Sequence, residues 1–190
     1  FDFDVMSGHI ARGMTTPTPI SQGEFGVVGA SRILSLLQVQ NILTTWFIPG
    51  FTIETYPEAC ADVVEGGHEI GHHGWTHVQP ALLDRAQEES EMIRANEAIA
   101  QLCGKRARGY RSPAWDLSPH TLELLIQHGF YYESSMMGHD YCPYRVRQGD
   151  IIELQKPMQF GDQTPLIEIP ISWSQDDHPH FEMTSARPGH

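Results

Sequence analysis

Leu43-Thr44-Thr45-Trp46-Phe47-Ile48, closed by Pro49-Gly50, is followed by Pro57-Glu58-Ala59-Cys60-Ala61-Asp62-Val63-Val64-Glu65, then Gly66-Gly67, then Glu69-Ile70-Gly71-His72. The first run is β-branched and aromatic with a Pro-Gly stop, the pattern of a buried strand. Pro57 stands where a helix starts, because a first-turn residue needs no N–H partner, and the glycine pair stands where a helix ends. The last run is short and strand-like. A strand, a helix and a second strand with little between them form a βαβ unit, and that connection requires a parallel pair.

The alternation continues outward. Residues 84–102 read as a long amphipathic helix stopped by Gly104, and residues 107–112 as a strand. Ser118-Pro119 opens a helix running to His128 and closed by Gly129, while residues 130–133, 151–154 and 166–169 are strand-like. Upstream, residues 28–37 have helical periodicity, residues 7–23 read as a Gly/Thr/Pro-rich loop, and residues 1–5 as a short strand bearing acids. No repeat, linker or low-complexity block interrupts this, so one domain over residues 1–190 is expected. The fold class is α/β with a mostly parallel sheet, open or closed into a barrel, whose chemistry collects at the C-terminal strand ends.

The 190 residues include 24 acidic and 12 basic ones, a net charge of −12, and lysine occurs only at Lys105 and Lys156. That balance argues against nucleic acid and against a polybasic membrane surface as partners. No apolar run approaches the ~20 residues of a spanning helix. Cys60, Cys103 and Cys142 lack CxxC spacing and read as free thiols of a reducing compartment, so a cytoplasmic protein is expected. Phe1-Asp2-Phe3-Asp4 reads as the middle of a strand, with sequence expected upstream of it.

Eleven histidines are the unusual count, and His68, His72, His73 and His77 fall within one short segment. Two metal readings compete there. His73 and His77 are four residues apart and can share one side of a turn. His68-Glu69-Ile70-Gly71-His72 matches the HExxH zinc-protease pattern, with Glu91 as a third ligand. That pattern needs a helix, and Gly71 and Gly74 each cost ~1 kcal/mol of helix propensity. A two-histidine site also wants a carboxylate and an open position. Asp2 and Asp4 offer one ligand and one proton acceptor. Arg111-Ser112-Pro113-Ala114-Trp115 adds an anchor for a buried carboxylate and an aromatic wall.

In this order the segments resemble the polysaccharide deacetylase family, the NodB-homology domain, over residues 1–182. The resemblance implies a distorted (β/α) barrel of fewer than eight repeats. It assigns Asp2 as catalytic base and Asp4, His73 and His77 as ligands of one divalent metal, with zinc the default and Co, Ni or Mn compatible. Arg111 would orient the base, and Pro113 and Trp115, with Trp75 or Tyr132, would line the substrate groove. Gly23-Glu24-Phe25-Gly26, Phe47-Ile48-Pro49-Gly50 and residues 67–71 resemble the intracellular branch, which holds allantoinase-like proteins, cyclic imide hydrolases and peptidoglycan-deacetylase-like proteins, often homo-oligomers.

The expected activity is hydrolysis of a non-peptide amide C–N bond by metal-activated water, on an N-acetylated sugar or else a small cyclic imide or ureide. A non-catalytic carbohydrate- or metal-binding homologue is the reading from another class. The family's closing histidine motif, its general acid, has no counterpart here. His178, His180 and His190 stand in other contexts, so the expectation is either that the last elements of the fold are absent from this chain or that the site is completed differently.

Overall fold

Strands β1 (Thr45–Ile48) and β2 (Glu69–His72) lie side by side in parallel, Thr45 opposite Glu69 and Ile48 opposite His72. Between them run α3 (Gly50–Thr55) and α4 (Pro57–Glu65), the second with the bounds its proline and glycines predict. The computed structural model describes residues 1–176, so His178, His180 and His190 lie outside the described residues. The sheet has six strands in the order β1-β2-β3-β4-β6-β5, with β3 (Gly109–Tyr110), β4 (Tyr132–Glu133), β5 (Tyr144–Gln148) and β6 (Asp162–Glu168). All neighbours are parallel except β5 and β6. This is the expected α/β class, with a sheet of the kind found in a distorted (β/α) barrel of fewer than eight repeats.

Helix α5 (Arg85–Cys103) is bounded by local chemistry. Asp84 and Gln87 form a reciprocal capping box, and Gly104 ends the helix at φ +75°. Its buried Glu88 accepts hydrogen bonds from Ser118 Oγ and Thr121 Oγ1, both at 2.5 Å, which ties it to α6 (Thr121–Gln127). The core between helices and sheet holds Trp46, Ile48, Val63, Ile99, Leu124, Leu125 and Leu166.

Three expectations are corrected. Residues 7–23 are not a loop: α1 (Ser7–Ala11) and the first turns of α2 (Pro17–Gln40) occupy them. Pro17 and Pro19 fall in the first turn of α2, where a missing N–H costs nothing. Gly23 marks a close crossing, since a Cβ there would sit 2.5 Å from Met6 Cα. Residues 151–154 form no strand beyond one bridge from Ile151 to Gln159, and Ile152 and Leu154 are exposed on an arm between β5 and β6. Residues 1–5 pair for a single bridge, Asp2 with Phe47 of β1. Phe3 N–H donates to Phe47 O (2.9 Å) and Phe47 N–H to Phe1 O (2.8 Å), which lays Asp2 and Asp4 beside β1. None of the described helices is long and apolar enough to cross a membrane.

Gly71 lies opposite Phe47, and a Cβ there would meet the Phe47 ring at 2.4 Å. Overpacking of this kind costs about 1–3 kcal/mol, so Gly71→Ala should lower urea-unfolding stability by that amount. Gly29, inside α2, should respond with the opposite sign, because a Cβ there would meet no other atom within 4 Å. Gly29→Ala should gain about 0.5–1 kcal/mol.

Candidate metal centre

The end of β2 sends adjacent histidines to opposite sides. His72 is buried, Gly74 N–H donates to its Nδ1 (3.2 Å), and its Nε2–H donates to Met92 O (3.0 Å). Both ring nitrogens are used, and burial pushes its pKa down to about 4, so the ring is neutral. The HExxH reading is thereby overturned, because Glu69–His72 is a strand. Glu69 instead accepts from Thr45 Oγ1 (2.7 Å) and Tyr132 OH (3.0 Å), and His68 Nδ1 from Thr44 N–H (3.2 Å).

His73 points the other way. Its Nδ1–H donates to the Arg111 carbonyl at 2.6 Å, which leaves Nε2 aimed at the segment beside β1. There Nε2 lies 3.4 Å from Asp4 Oδ1, while Asp4 Oδ2 lies 3.3 Å from His77 Nε2. One ligating atom from each of Asp4, His73 and His77 falls within 4.8 Å of the others. The loop is turned by Gly74 at φ +71° and His77 at φ +61°, and Val5 at φ +54° turns the chain just after Asp4. Thr52 Oγ1–H (2.8 Å) and Ser7 N–H (3.0 Å) both donate to the Asp4 carbonyl and fix the residue from behind.

This donor set fits a cation. Asp4 Oδ1 and His73 Nε2 are buried acceptors that face each other with no hydrogen-bond partner, which is costly in the interior. Burial pushes the Asp4 carboxyl up to about 6 and the His73 ring down, so an unliganded cluster disfavours its own charges. A histidine whose far nitrogen donates to a carbonyl is also the arrangement that fixes a ligand's tautomer.

Asp2 stands next to the cluster, its Oδ2 3.9 Å from His73 Nε2. Its Oδ1 accepts from Arg111 Nη1 at 2.8 Å. Burial alone would push the Asp2 carboxyl up, but His73 and the Arg111 guanidinium outweigh it, and the group lies below the usual carboxylate range. Arg111 is fully committed: Nε donates to Ser134 O (2.9 Å), Nη2 to Ser134 Oγ (2.8 Å), and the guanidinium lies 4.4 Å over the Phe47 ring.

The aromatic expectations divide. Pro113 is buried against Gly74, and Trp115, half-buried at φ +56°, meets Trp173 edge-on at 5.1 Å. Trp75 is turned toward α5. Its ring is buried under the Arg94 guanidinium (3.4 Å) and would touch any Cβ at Gly50. Tyr132 is half-buried, its hydroxyl bonding Glu69 at the start of β2 and its ring packing on Phe47. Sequence reasoning missed Phe47 and Ser134 as supports of Arg111; nothing in their local pattern marks them.

Residues 26–132 match the family profile described as polysaccharide deacetylase. The chain belongs to the polysaccharide deacetylase family. That stretch contains His73, His77, Arg111 and Trp115; Asp2 and Asp4 precede it. The deacetylase-family chain is 39% identical over 200 residues to a peptidoglycan deacetylase of Helicobacter pylori, covering 98% of this chain and 68% of that protein. It is 32% identical to a peptidoglycan deacetylase-like protein of Gibberella zeae, over 93% of this chain but only 57% of that protein. Among solved structures, a Mycobacterium smegmatis protein described as a polysaccharide deacetylase superposes with TM-score 0.77 at 33% identity, over 94% of this chain and 59% of that one. Puue allantoinase superposes with TM-score 0.70 at 27% identity, over 85% of this chain and 50% of that one.

Metal content by mass spectrometry and titration with Zn²⁺ should separate the two histidine sets. Asp4→Ala, His73→Ala and His77→Ala should each weaken binding by roughly 100-fold or more, beyond the loss typical of outer-shell changes. His68→Ala and Glu69→Gln should leave it intact.

Proposed function

We propose that this chain holds one divalent cation, zinc by the default of its donor set, on Asp4, His73 and His77 and hydrolyses the amide bond of N-acetylated sugars in a glycan. The observation that carries this reading is the Arg111–Asp2 pair set against the three-ligand cluster. A cation there supplies Lewis acidity, which acidifies water and polarises a carbonyl. The rest of the chemistry falls to the chain's own residues. With Oδ1 occupied by Arg111, Asp2 presents Oδ2 as the proton acceptor for the attacking water. Its low pKa keeps it ionised, and the paired guanidinium holds its plane. Trp115 and Trp173 supply an aromatic edge on which a sugar ring can rest.

The peptidoglycan deacetylase of H. pylori, similar over nearly the whole chain, supports the glycan as substrate. The likeness to Puue allantoinase favours a second reading, a small ureide or cyclic imide. Oligomer formation is part of the proposal: Phe25 and Val28, then Leu36 and Val39, are exposed apolar pairs on one face of α2, separated by Arg32, and that face suits a second copy of the chain.

Release of acetate from N-acetylglucosamine oligomers should be measured beside turnover of a cyclic imide. The wild type should act on the oligomers, and Asp2→Asn should lose roughly 100- to 10,000-fold in kcat with its metal retained. Imide turnover alone would select the second reading, and Asp2→Asn at full activity would remove Asp2 as base. Sedimentation should show that Leu36→Glu with Val39→Glu lowers the oligomeric state.

A further inference from the structure

Glu133 of β4 and Glu168 of β6 are neighbours in the sheet register, and both are completely buried. Two buried carboxyls side by side are expensive unless something is gained by keeping them. Neither touches the metal candidates. What they touch is the chain immediately after β4. Ser135 N–H donates to Glu133 Oε2 (3.0 Å) and Glu168 Oε1 (3.1 Å), Met136 N–H donates to Glu168 Oε1 (2.9 Å), and Ser135 Oγ donates to Glu133 Oε1. The pair therefore collects the donors of one turn.

That turn leads to the base. Ser135 Oγ accepts from Ser112 N–H (2.8 Å), next to Arg111, and Ser134 supplies the carbonyl and hydroxyl that hold Arg111 Nε and Nη2. Arg111 in turn holds Asp2. We infer that the Glu133–Glu168 pair positions Arg111, and through it Asp2, by fixing the turn at residues 134–136. This rests on the reading of Asp2 as base.

The protonation state agrees with the geometry. Burial and the adjacent Glu133 carboxyl push Glu168 up to about 10, so near neutral pH Glu168 is a neutral acid and the pair need carry only one negative charge. The two carboxyls also hydrogen-bond each other, a contact that requires a proton on one of them. A neutral amide should replace Glu168, whereas an alanine should release the turn.

The test follows the Arg111 side chain directly and turnover separately. In metal-free protein, hydrogen exchange at Arg111 Nε–H, read by NMR, should be slow in the wild type and in Glu168→Gln, and at least about 10-fold faster in Glu168→Ala. With metal bound, Glu168→Ala should keep its metal content and KM but lose about 10-fold or more in kcat, and Glu168→Gln should restore most of it. In an Arg111→Ala background, Glu168→Ala should add less than about 2-fold, because one path is already cut. Should Glu168→Ala not fold, Ser135→Ala with little lost volume keeps the two backbone bonds to Glu168 but cuts the Ser135 Oγ bridge from Glu133 to the Ser112 N–H, and faster Arg111 exchange with a loss in kcat is expected from it too. Unchanged Arg111 exchange, or losses that multiply in the double variant, would overturn the inference. An active Asp2→Asn would instead remove the base reading and leave the exchange result standing.

Discussion

Arg111 acts on both halves of the site with different groups. Its main-chain carbonyl takes the Nδ1–H of His73 at 2.6 Å, which sets the ring so that Nε2 faces Asp4. Its guanidinium takes Asp2 at 2.8 Å. A ligand candidate and the proposed base, far apart in sequence, are thus referenced to one residue at the end of β3. Any shift of that strand end moves both together, so their relative geometry is protected even where the surrounding loops move.

The scaffold meets this constraint through backbone conformations that most residues avoid. Among the described residues, five non-glycine positions have positive φ: Val5, Asn41, His77, Ala114 and Trp115. Asn41 ends α2 in an ordinary left-handed cap. The other four flank or include Asp4, His77 and the Pro113–Trp115 turn. Strain of roughly 1–3 kcal/mol per residue persists only where surrounding contacts over-determine the conformation. Those contacts are present: Thr52 and Ser7 behind Asp4, Gly50 and Phe51 N–H groups on the Gly74 and Trp75 carbonyls, and Ser112 Oγ on the Asp116 carbonyl.

Elements set by short-range chemistry were legible in sequence. The start and stop of α4, the capped ends of α5, and the β1 and β2 runs depend on proline, glycine, capping side chains and β-branched residues acting within a few positions. Failures came where a residue's local meaning and its packing role differ. Gly23 is a turn-former by composition and a helix crossing in the fold. Residues 151–154 are apolar enough for a core strand, but no second layer covers them, and they project on an arm. Trp75 and Tyr132 have the aromatic character of a substrate wall, and the fold packs the first under Arg94 of α5 and the second against Phe47.

The candidate site divides along the same line. Residue type and spacing offered Asp2, Asp4, His73, His77 and Arg111 as candidates beside a competing histidine pair, and it was the resemblance to polysaccharide deacetylases that joined them into one set. Spacing could not say why His73 and not its neighbour His72 faces the acids, nor which Asp2 oxygen remains open, nor that Ser134 and a buried carboxyl pair stand behind Arg111. Those answers depend on strand register and on contacts between β2, β3, β4 and β6 that are distant in sequence. Side-chain alternation at a strand end is a local rule, but the direction in which it is applied is decided only when the sheet assembles.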